Sequence, residues 1–308
     1  MERFMKSVSA LKAVESTLMT INGRTPAYVE LTERFGPVFI SSARLRDELV
    51  AEGVASLEID PVRLAAGVPV LVGSDFSQWT DLLSSSVKRL LPELLEVLEL
   101  EDDACEALRV FFDDSDTLLA LVQARTEGDW KHFENTSVQL ETVSATTLLY
   151  ISEIVFSPVL CAIAETLGER LESHSWEHGH CPVCGSSPSI SQLSPKEITD
   201  LDQLVGGGGK KYLHCSLCGH DWRYKRNACP SCGNDDSESR EVFYADDTRF
   251  ERVEACHKCG TYCLNVDLRE CEPLPHLDAI QMGLIHLDIY AQKKKLTPLV
   301  STLWNSLD

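Results

Sequence analysis

Residues 181–185 read Cys-Pro-Val-Cys-Gly, and the same pattern, C-x-x-C-G, returns at 215–219, 229–233 and 256–260. We call each copy a knuckle and number the four in chain order. Two thiolates three residues apart on a tight turn can occupy two corners of a metal tetrahedron, and the glycine permits the positive φ that such a turn tends to need. Four knuckles therefore predict two tetracysteine metal sites. The predicted ligands are Cys181, Cys184, Cys215, Cys218, Cys229, Cys232, Cys256 and Cys259.

The spacing of the knuckles favours a sequential pairing, the first with the second and the third with the fourth. The intervening segments 185–214 and 233–255 are long enough for a ribbon in each case. A nested pairing is the alternative, because the short segment 219–228 could close a compact ribbon between the second and third knuckles. The eight ligands are the same in both arrangements.

The spacing leaves the metal open between zinc and iron. Tetrahedral sulfur ligation suits a structural zinc ion or a mononuclear iron centre, which could also change its oxidation state. Disulfides are disfavoured because the first fifteen residues carry charged side chains and no apolar run of a secretory signal. A thioredoxin-type pair needs one C-x-x-C at the start of a helix, whereas these four lie among turns and predicted strands. The same N-terminus leads us to expect a cytoplasmic protein.

The charge of the chain disfavours nucleic acid as a partner. The 308 residues hold 48 acidic against 28 basic side chains, a net charge of −20, and affinity for phosphates comes largely from basic groups. The strip 222–226, Trp-Arg-Tyr-Lys-Arg, has two interpretations: a docking strip for a peptide or nucleic acid, or a ribbon strand whose aromatic rings cover a small core. We favour the second. The acidic segment 96–116 is typical of a solvated face but could attract a basic segment of a partner.

The part of the chain before the knuckles is predicted to be helical. Five apolar residues recur at steps of three and four and define one helix face that Asp75 or Ser77 could cap: Leu83, Val87, Leu90, Leu94 and Leu98. The apolar stretch 143–164 has Glu153 near its middle, so we predict a buried helix and no membrane span. The run 68–72 stays unassigned.

Beyond residue 176, short β-prone segments are separated by turn signals. We predict strands at 211–214, 221–226, 241–245 and 250–255, a flexible loop at Gly206–Gly209, a hairpin turn at Asp246-Asp247 and a final helix over 277–294. The predicted fold is multidomain α and β: an N-terminal all-α helical domain (1–175), two small rubredoxin-like or zinc-ribbon metal domains (176–226 and 227–308), and a C-terminal helix within the last.

The remaining cysteines and the histidines are assigned no catalytic role. We expect Cys105, Cys161, Cys263 and Cys271 to be small buried side chains, with Cys263 the best candidate for a reactive exception because it lies near a site. His174, His178 and His180 crowd the first knuckle, where four cysteines already suffice as ligands. The chain contains no recognisable nucleophile and base set, P-loop or G-x-G-x-x-G. We therefore predict a protein that is not an enzyme.

Several of these segments together resemble one family, the formate dehydrogenase accessory protein FdhE. The resemblance is carried by the first knuckle, by Tyr212-Leu-His-Cys-Ser-Leu-Cys followed by Trp222, by Cys229-Pro-Ser-Cys-Gly-Asn, by Glu254-Ala-Cys-His-Lys-Cys with Tyr262, and by Leu287-Asp288. It implies a cytoplasmic, non-catalytic maturation factor in which a helical domain is joined to two rubredoxin-like domains with the eight cysteines as metal ligands. The resemblance favours iron, with zinc possible. It also implies that the partner is the catalytic subunit of a molybdenum- or tungsten-dependent formate dehydrogenase.

Overall fold

The computed structural model describes residues 9–195, 209–245 and 248–306. The predicted loop residues Gly206–Gly208 and the predicted turn Asp246-Asp247 lie outside these ranges. The helices of the described residues are α1 Ala10–Asn22, α2 Pro26–Glu52, α3 Pro61–Ala65, α4 Thr80–Leu98, α5 Asp102–Asp113, α6 Ser115–Glu127, α7 Trp130–Leu140, α8 Ala145–Leu171, α9 Leu277–Met282 and α10 Ile285–Lys293. The strands are β1 Ile190–Leu193, β2 Lys211–His214, β3 Asp221–Arg223, β4 Arg240–Tyr244, β5 Glu251–Cys256, β6 Thr261–Asp267 and β7 Thr297–Pro298.

The chain divides into two compact units. The first holds the residues up to His174 together with Pro182–Ser186 and Leu217–His220, and the second holds the rest. Helices thus occupy the N-terminal part, and strands with two cysteine clusters the C-terminal part, which confirms the predicted fold class. The domain boundaries at 175 and 226 stay a prediction.

The helical unit is built around α4 and α8. Leu83, Val87, Leu90 and Leu94 are buried as the helical spacing predicts, while Leu98 at the end of α4 is only half-buried. The predicted cap is wrong: a 3₁₀ turn over Ser77–Trp79 precedes the helix, and Asp75 accepts a hydrogen bond from the Ser77 N–H at the start of that turn. The helix begins at Thr80 without a side-chain cap.

Helix α8 is the predicted apolar helix. Among the described residues it is the one helix long and apolar enough to cross a membrane, and 67% of its most apolar window is buried inside the protein. Glu153 on this helix accepts a 2.7 Å hydrogen bond from the guanidinium of Arg125. Burial and an internal ion pair are features of a core helix, in agreement with the sequence interpretation.

The strands of both predicted ribbons belong to one sheet, in the order β3-β2-β1-β6-β5-β4, with β7 added to β6. Strand β1 runs parallel to β6, with Ile190 opposite Leu264, and this pairing joins the strands of the two ribbons. The sequence prediction had β2, β4 and β5 within one residue of their observed bounds, extended β3 three residues too far, to 226, and lacked β1, β6 and β7. The predicted final helix is wrong in one respect, because it breaks at Gly283 into α9 and α10. Glycine weakens a helix interior, which explains the break.

Candidate metal centres

The turn of each knuckle has the backbone conformation that its glycine makes possible. The glycine after the second cysteine has a positive φ in all four copies: +79° at Gly185, +61° at Gly219, +70° at Gly233 and +74° at Gly260. A residue with a Cβ is strained in this region of the Ramachandran plot. The C-x-x-C-G pattern is therefore explained by backbone geometry as well as by ligand spacing.

The structure groups the eight cysteines into two clusters, and the grouping is the sequential one. In the first site the sulfurs of Cys181, Cys184, Cys215 and Cys218 lie within 4.8 Å of one another. In the second site the same limit holds for the sulfurs of Cys229, Cys232, Cys256 and Cys259. The nested pairing is not the one observed. Each cluster can hold a metal ion, and the role of these cysteines as ligands stays a prediction.

The sulfur spacing of the second site fits a tetrahedral metal ion. The Sγ atoms of Cys229 and Cys259 are 3.7 Å apart, and so are those of Cys232 and Cys256. Four sulfurs at about 2.3 Å from a central zinc ion form a tetrahedron with edges of about 3.8 Å. These two sulfur–sulfur distances match the tetrahedral edge without any movement of the chain.

The two sites differ in their exposure. All four cysteines of the first site are buried, whereas Cys232 and Cys259 of the second site are exposed at the surface. The first site therefore has the closed character of a structural metal site. A metal ion in the second site would be held by two buried and two surface sulfurs.

The thiols of the second site have divergent pKa values. Burial raises the pKa of Cys232 to about 12. Burial also opposes ionisation of Cys259. Hydrogen bonds from the Thr261 hydroxyl, the Thr261 N–H and neighbouring thiols outweigh this effect and lower the pKa of Cys259 to about 6. Four thiolates at these distances repel one another, so full ionisation requires a cation among them.

The first knuckle is held by a segment that the sequence left unassigned. The N–H of Val70 donates to the carbonyl oxygen of Pro182 at 2.9 Å, and the N–H of Leu71 donates to that of Val183 at 2.8 Å. The apolar run 68–72, which includes a turn closed by a hydrogen bond from the Val72 N–H to the Pro69 carbonyl, is thus a clamp on the knuckle turn. Sequence patterning could not assign it, because its hydrogen-bond partners lie more than a hundred residues further along the chain.

The second knuckle lies against α8. A Cβ placed on Gly219 would lie 3.0 Å from the sulfur of Cys161, which is half-buried on that helix. Gly219 is therefore required both for its positive φ and for the space that its missing side chain leaves. Cys161 packs against this turn, although it is half-buried and not fully buried as expected from sequence.

Two polar groups beside the cysteines were missed as site residues. Asn234 follows the third knuckle, and its amide N–H₂ lies 3.7 Å from the Cys256 sulfur and 2.7 Å from the Ser239 hydroxyl. His214, next to Cys215, lies between two carboxylates, with Nδ1 2.8 Å from Asp221 and Nε2 3.2 Å from Asp278. Although burial alone would lower its pKa, the two aspartates raise the pKa of His214 well above the usual value. The sequence signal was adjacency to a cysteine, which by itself is weak.

The strip 222–226 and the histidines before the first knuckle make contacts typical of structural residues. The Trp222 side chain is buried and donates to the carbonyl of His178, and the Tyr224 hydroxyl donates to the carbonyl of Cys229. These contacts support the structural interpretation of the strip 222–226. His178 and His180 lie against the ring of Trp176, with centroids 4.8 and 5.1 Å away.

The remaining cysteines are mostly enclosed. Cys105 and Cys263 are buried, and Cys161 and Cys271 are half-buried. Burial raises the pKa of Cys263 to about 12, which makes its thiol unreactive at neutral pH. The structure therefore gives no support to Cys263 as a reactive exception.

Comparison with known proteins connects this architecture with one group. The chain is 31% identical over 137 residues to an FdhE homologue of Aquifex aeolicus, covering 44% of each chain. It is 37% identical over 109 residues to one of Shewanella oneidensis (35% of this chain, 32% of the relative) and 26% identical over 234 residues to one of Edwardsiella ictaluri (71% and 65%). The matched segments thus span from a third to two thirds of these relatives. No protein-family model matches the chain.

A solved structure extends the likeness to the whole fold. The crystal structure of the FdhE protein from Pseudomonas aeruginosa matches with a TM-score of 0.60 at 19% identity, covering 96% of this chain and 95% of that chain. The resemblance predicted from the knuckle region is confirmed.

Proposed function

We propose, from the resemblance to FdhE proteins in sequence and in fold, that this chain is a non-catalytic accessory protein for the assembly of a molybdenum- or tungsten-dependent formate dehydrogenase. Its partner in this role is the catalytic subunit of that enzyme. The observation that carries the proposal is the sequence match to FdhE homologues from several bacteria, which the fold match extends over nearly the whole chain.

The proposed metal content is two ions per chain, each bound by four cysteines: Cys181, Cys184, Cys215 and Cys218 in the first site, and Cys229, Cys232, Cys256 and Cys259 in the second. Thiolate ligation fits iron or zinc, and the family resemblance favours iron. Since these thiols must stay reduced to bind metal, a reducing compartment suits the protein, and we place it in the cytoplasm. We propose no membrane span, because α8 has the burial of a core helix.

The direct test of the proposal is co-purification from the native host. A tagged copy of this chain is expected to retain the catalytic subunit, and deletion of its gene is expected to abolish formate dehydrogenase activity while the subunit is still synthesised. A tagged Cys105→Ser protein serves as a matched control, because Cys105 lies on α5 and outside both cysteine clusters. Absence of the subunit from the pull-down, together with normal activity in the deletion strain, would refute the proposal.

One observation favours a second candidate function, an iron-dependent electron carrier. Cys232 and Cys259 are at the surface, so an iron ion in the second site would lie close to an external donor or acceptor. A red protein with thiolate-to-iron absorption bands and a reversible midpoint potential supports this candidate. A colourless protein with two zinc ions per chain eliminates it. The nucleic-acid alternative has no comparable support, because Trp222 is buried.

A further inference from the structure

Strand β4 forms one end of the main sheet. Its inner edge pairs with β5 in an unbroken antiparallel register from Arg240 opposite Cys256 to Tyr244 opposite Arg252. Within the described ranges no strand pairs with its outer edge. An exposed sheet edge presents backbone donors and acceptors that can template another strand.

The ladder shows which backbone groups of β4 point outward. The N–H of His257 donates to the carbonyl of Ser239, so this opposed pair is a hydrogen-bonded one. Hydrogen-bonded and non-hydrogen-bonded pairs alternate in an antiparallel ladder. Glu241 and Phe243 are therefore bonded to β5, and the N–H and C=O groups of Val242 and Tyr244 face away from the sheet.

The same stretch exposes apolar side chains. The exposed fractions are 51% for Val242 and 45% for Tyr244, which share one face of the sheet because they are two residues apart. On the other face the ring of Phe243 packs edge-on against that of Tyr290, 5.2 Å away, and Tyr290 is 47% exposed. Four of the ten large apolar side chains that are exposed in the described residues lie on β4 and α10, which marks this edge as an interaction surface.

Cations border the edge. The Lys294 ammonium lies 5.0 Å from the ring centre of Phe243, and the Arg249 guanidinium lies 5.6 Å from that of Tyr244. Arg240 is the first residue of the strand, and Arg249 lies just beyond its end. The acidic residue of the strand, Glu241, is already bound by His257 at 2.9 Å and Lys294 at 3.6 Å. A second copy of the chain would bring the same cations to the same edge, so the charge favours a different, acidic occupant.

We propose that the outer edge of β4 binds an extended segment of a partner protein by strand addition, and that this segment alternates apolar and acidic residues. Its backbone pairs with the outward groups of Val242 and Tyr244. Its acidic side chains lie on the face of Val242 and Tyr244, which Arg240 and Arg249 border, and its apolar side chains lie on the opposite face, beside Phe243 and Tyr290. Because Arg240 is in register with Cys256, the added strand runs alongside the hairpin that carries a ligand of the second site. The inference rests on the proposed function only for the identity of the partner.

The test uses an acetylated, fluorescent peptide of alternating Glu and Val residues, and a Lys and Val peptide as the charge-reversed control. The full-length protein is expected to bind the acidic peptide at least tenfold more tightly than the basic one. Val242→Pro removes one outward N–H without removing a bond to β5, and proline is tolerated at such edge positions. We expect it to weaken binding about tenfold, whereas Val242→Thr, which keeps the N–H, stays within about twofold. Equal affinities for the two peptides, or for the Pro and Thr variants, would overturn the inference.

Amide hydrogen exchange of the unsubstituted protein tests the same geometry without a variant. The acidic peptide is expected to protect the N–H groups of Val242 and Tyr244 and to leave those of Glu241 and Phe243 unchanged, since these are already bonded. Protection elsewhere with none at Val242 and Tyr244 also contradicts the inference. Capture of the formate dehydrogenase subunit separates this inference from the proposed function. If the Val242→Pro protein still captures the subunit, only the inference about the β4 edge is refuted. If the unsubstituted protein binds the peptide but does not capture the subunit, only the proposed function is refuted.

Discussion

Substitution of the knuckle glycines by alanine tests why the C-x-x-C-G pattern ends in glycine. All four have positive φ, so each alanine adds the cost of a left-handed conformation, about 1–2 kcal/mol. The surroundings differ. A Cβ on Gly233 or Gly260 meets nothing within 4 Å, one on Gly185 lies 3.2 Å from a Pro69 carbon, and one on Gly219 lies 3.0 Å from the Cys161 sulfur.

These distances rank the four variants. Gly233→Ala and Gly260→Ala are expected to lower the free energy of unfolding by the backbone cost alone. Gly219→Ala adds an overlap with sulfur, and overpacking of this kind costs about 1–3 kcal/mol. The sum for Gly219→Ala is therefore about 2–5 kcal/mol, with Gly185→Ala between the two groups.

The assay is urea unfolding of the metal-loaded proteins, followed by circular dichroism, with metal content measured beforehand. A double-mutant cycle isolates the contact: Cys161→Ala removes the sulfur that the new methyl group meets, so it should recover about 1 kcal/mol or more in the Gly219→Ala background. If Gly219→Ala is no more destabilising than Gly233→Ala, or if Cys161→Ala recovers nothing, then the reasoning from packing is wrong and only the backbone term remains.

Three further predictions concern the cysteine sites and a buried carboxyl group. Cys229→Ser should lower the metal content from two ions to about one and destabilise the ribbon region, while Cys105→Ser should leave metal content and stability unchanged. Elemental analysis and thermal melting measure the two quantities. Equal metal content in the two variants would count against Cys229 as a ligand. A chelator should remove metal from the second site before the first, because two sulfurs of the second site are exposed. The loss of metal is monitored by absorbance or elemental analysis. Loss of both ions at the same rate would contradict this prediction. Burial raises the pKa of Asp288 to about 7, so its neutral form is favoured by folding, and the stability of the native protein should fall as pH rises from about 4 to 7 by at most about 1.4 kcal/mol per pH unit. Asp288→Asn should remove that part of the slope in denaturation curves measured at pH 5 and 8, and an unchanged slope would refute the assignment.

Local patterns of the sequence were sufficient for the cysteine clusters and for much of the helical part. A knuckle is a turn of five residues, so its ligands and its glycine are recognisable without knowledge of distant partners. Helical spacing likewise placed Leu83, Val87, Leu90 and Leu94 on one buried face. In both cases the interactions that select the structure lie within a few residues of one another.

Strand β1 could not be recognised in the same way. It is only four residues long, Ile-Ser-Gln-Leu, and has no strong β pattern. Strand β6, Thr-Tyr-Cys-Leu-Asn-Val-Asp, does contain β-prone residues and pairs with the adjacent β5, so its signal was local and was overlooked. Strand β1 pairs in parallel with β6 across more than seventy residues of chain. The clamp at 68–72 escaped assignment for the same reason, since its hydrogen bonds run to Pro182 and Val183.

The sequence by itself determined which eight cysteines form two sets of four, because thiol spacing and the glycine that follows are properties of single turns. Only the tertiary structure decided that the pairing is sequential, that one site is buried while the other exposes Cys232 and Cys259, and that the strands of both ribbons share one sheet. Burial and strand order depend on contacts between segments far apart in the chain. Such contacts produce no periodic pattern of residues in either segment alone, so the sequence does not reveal them.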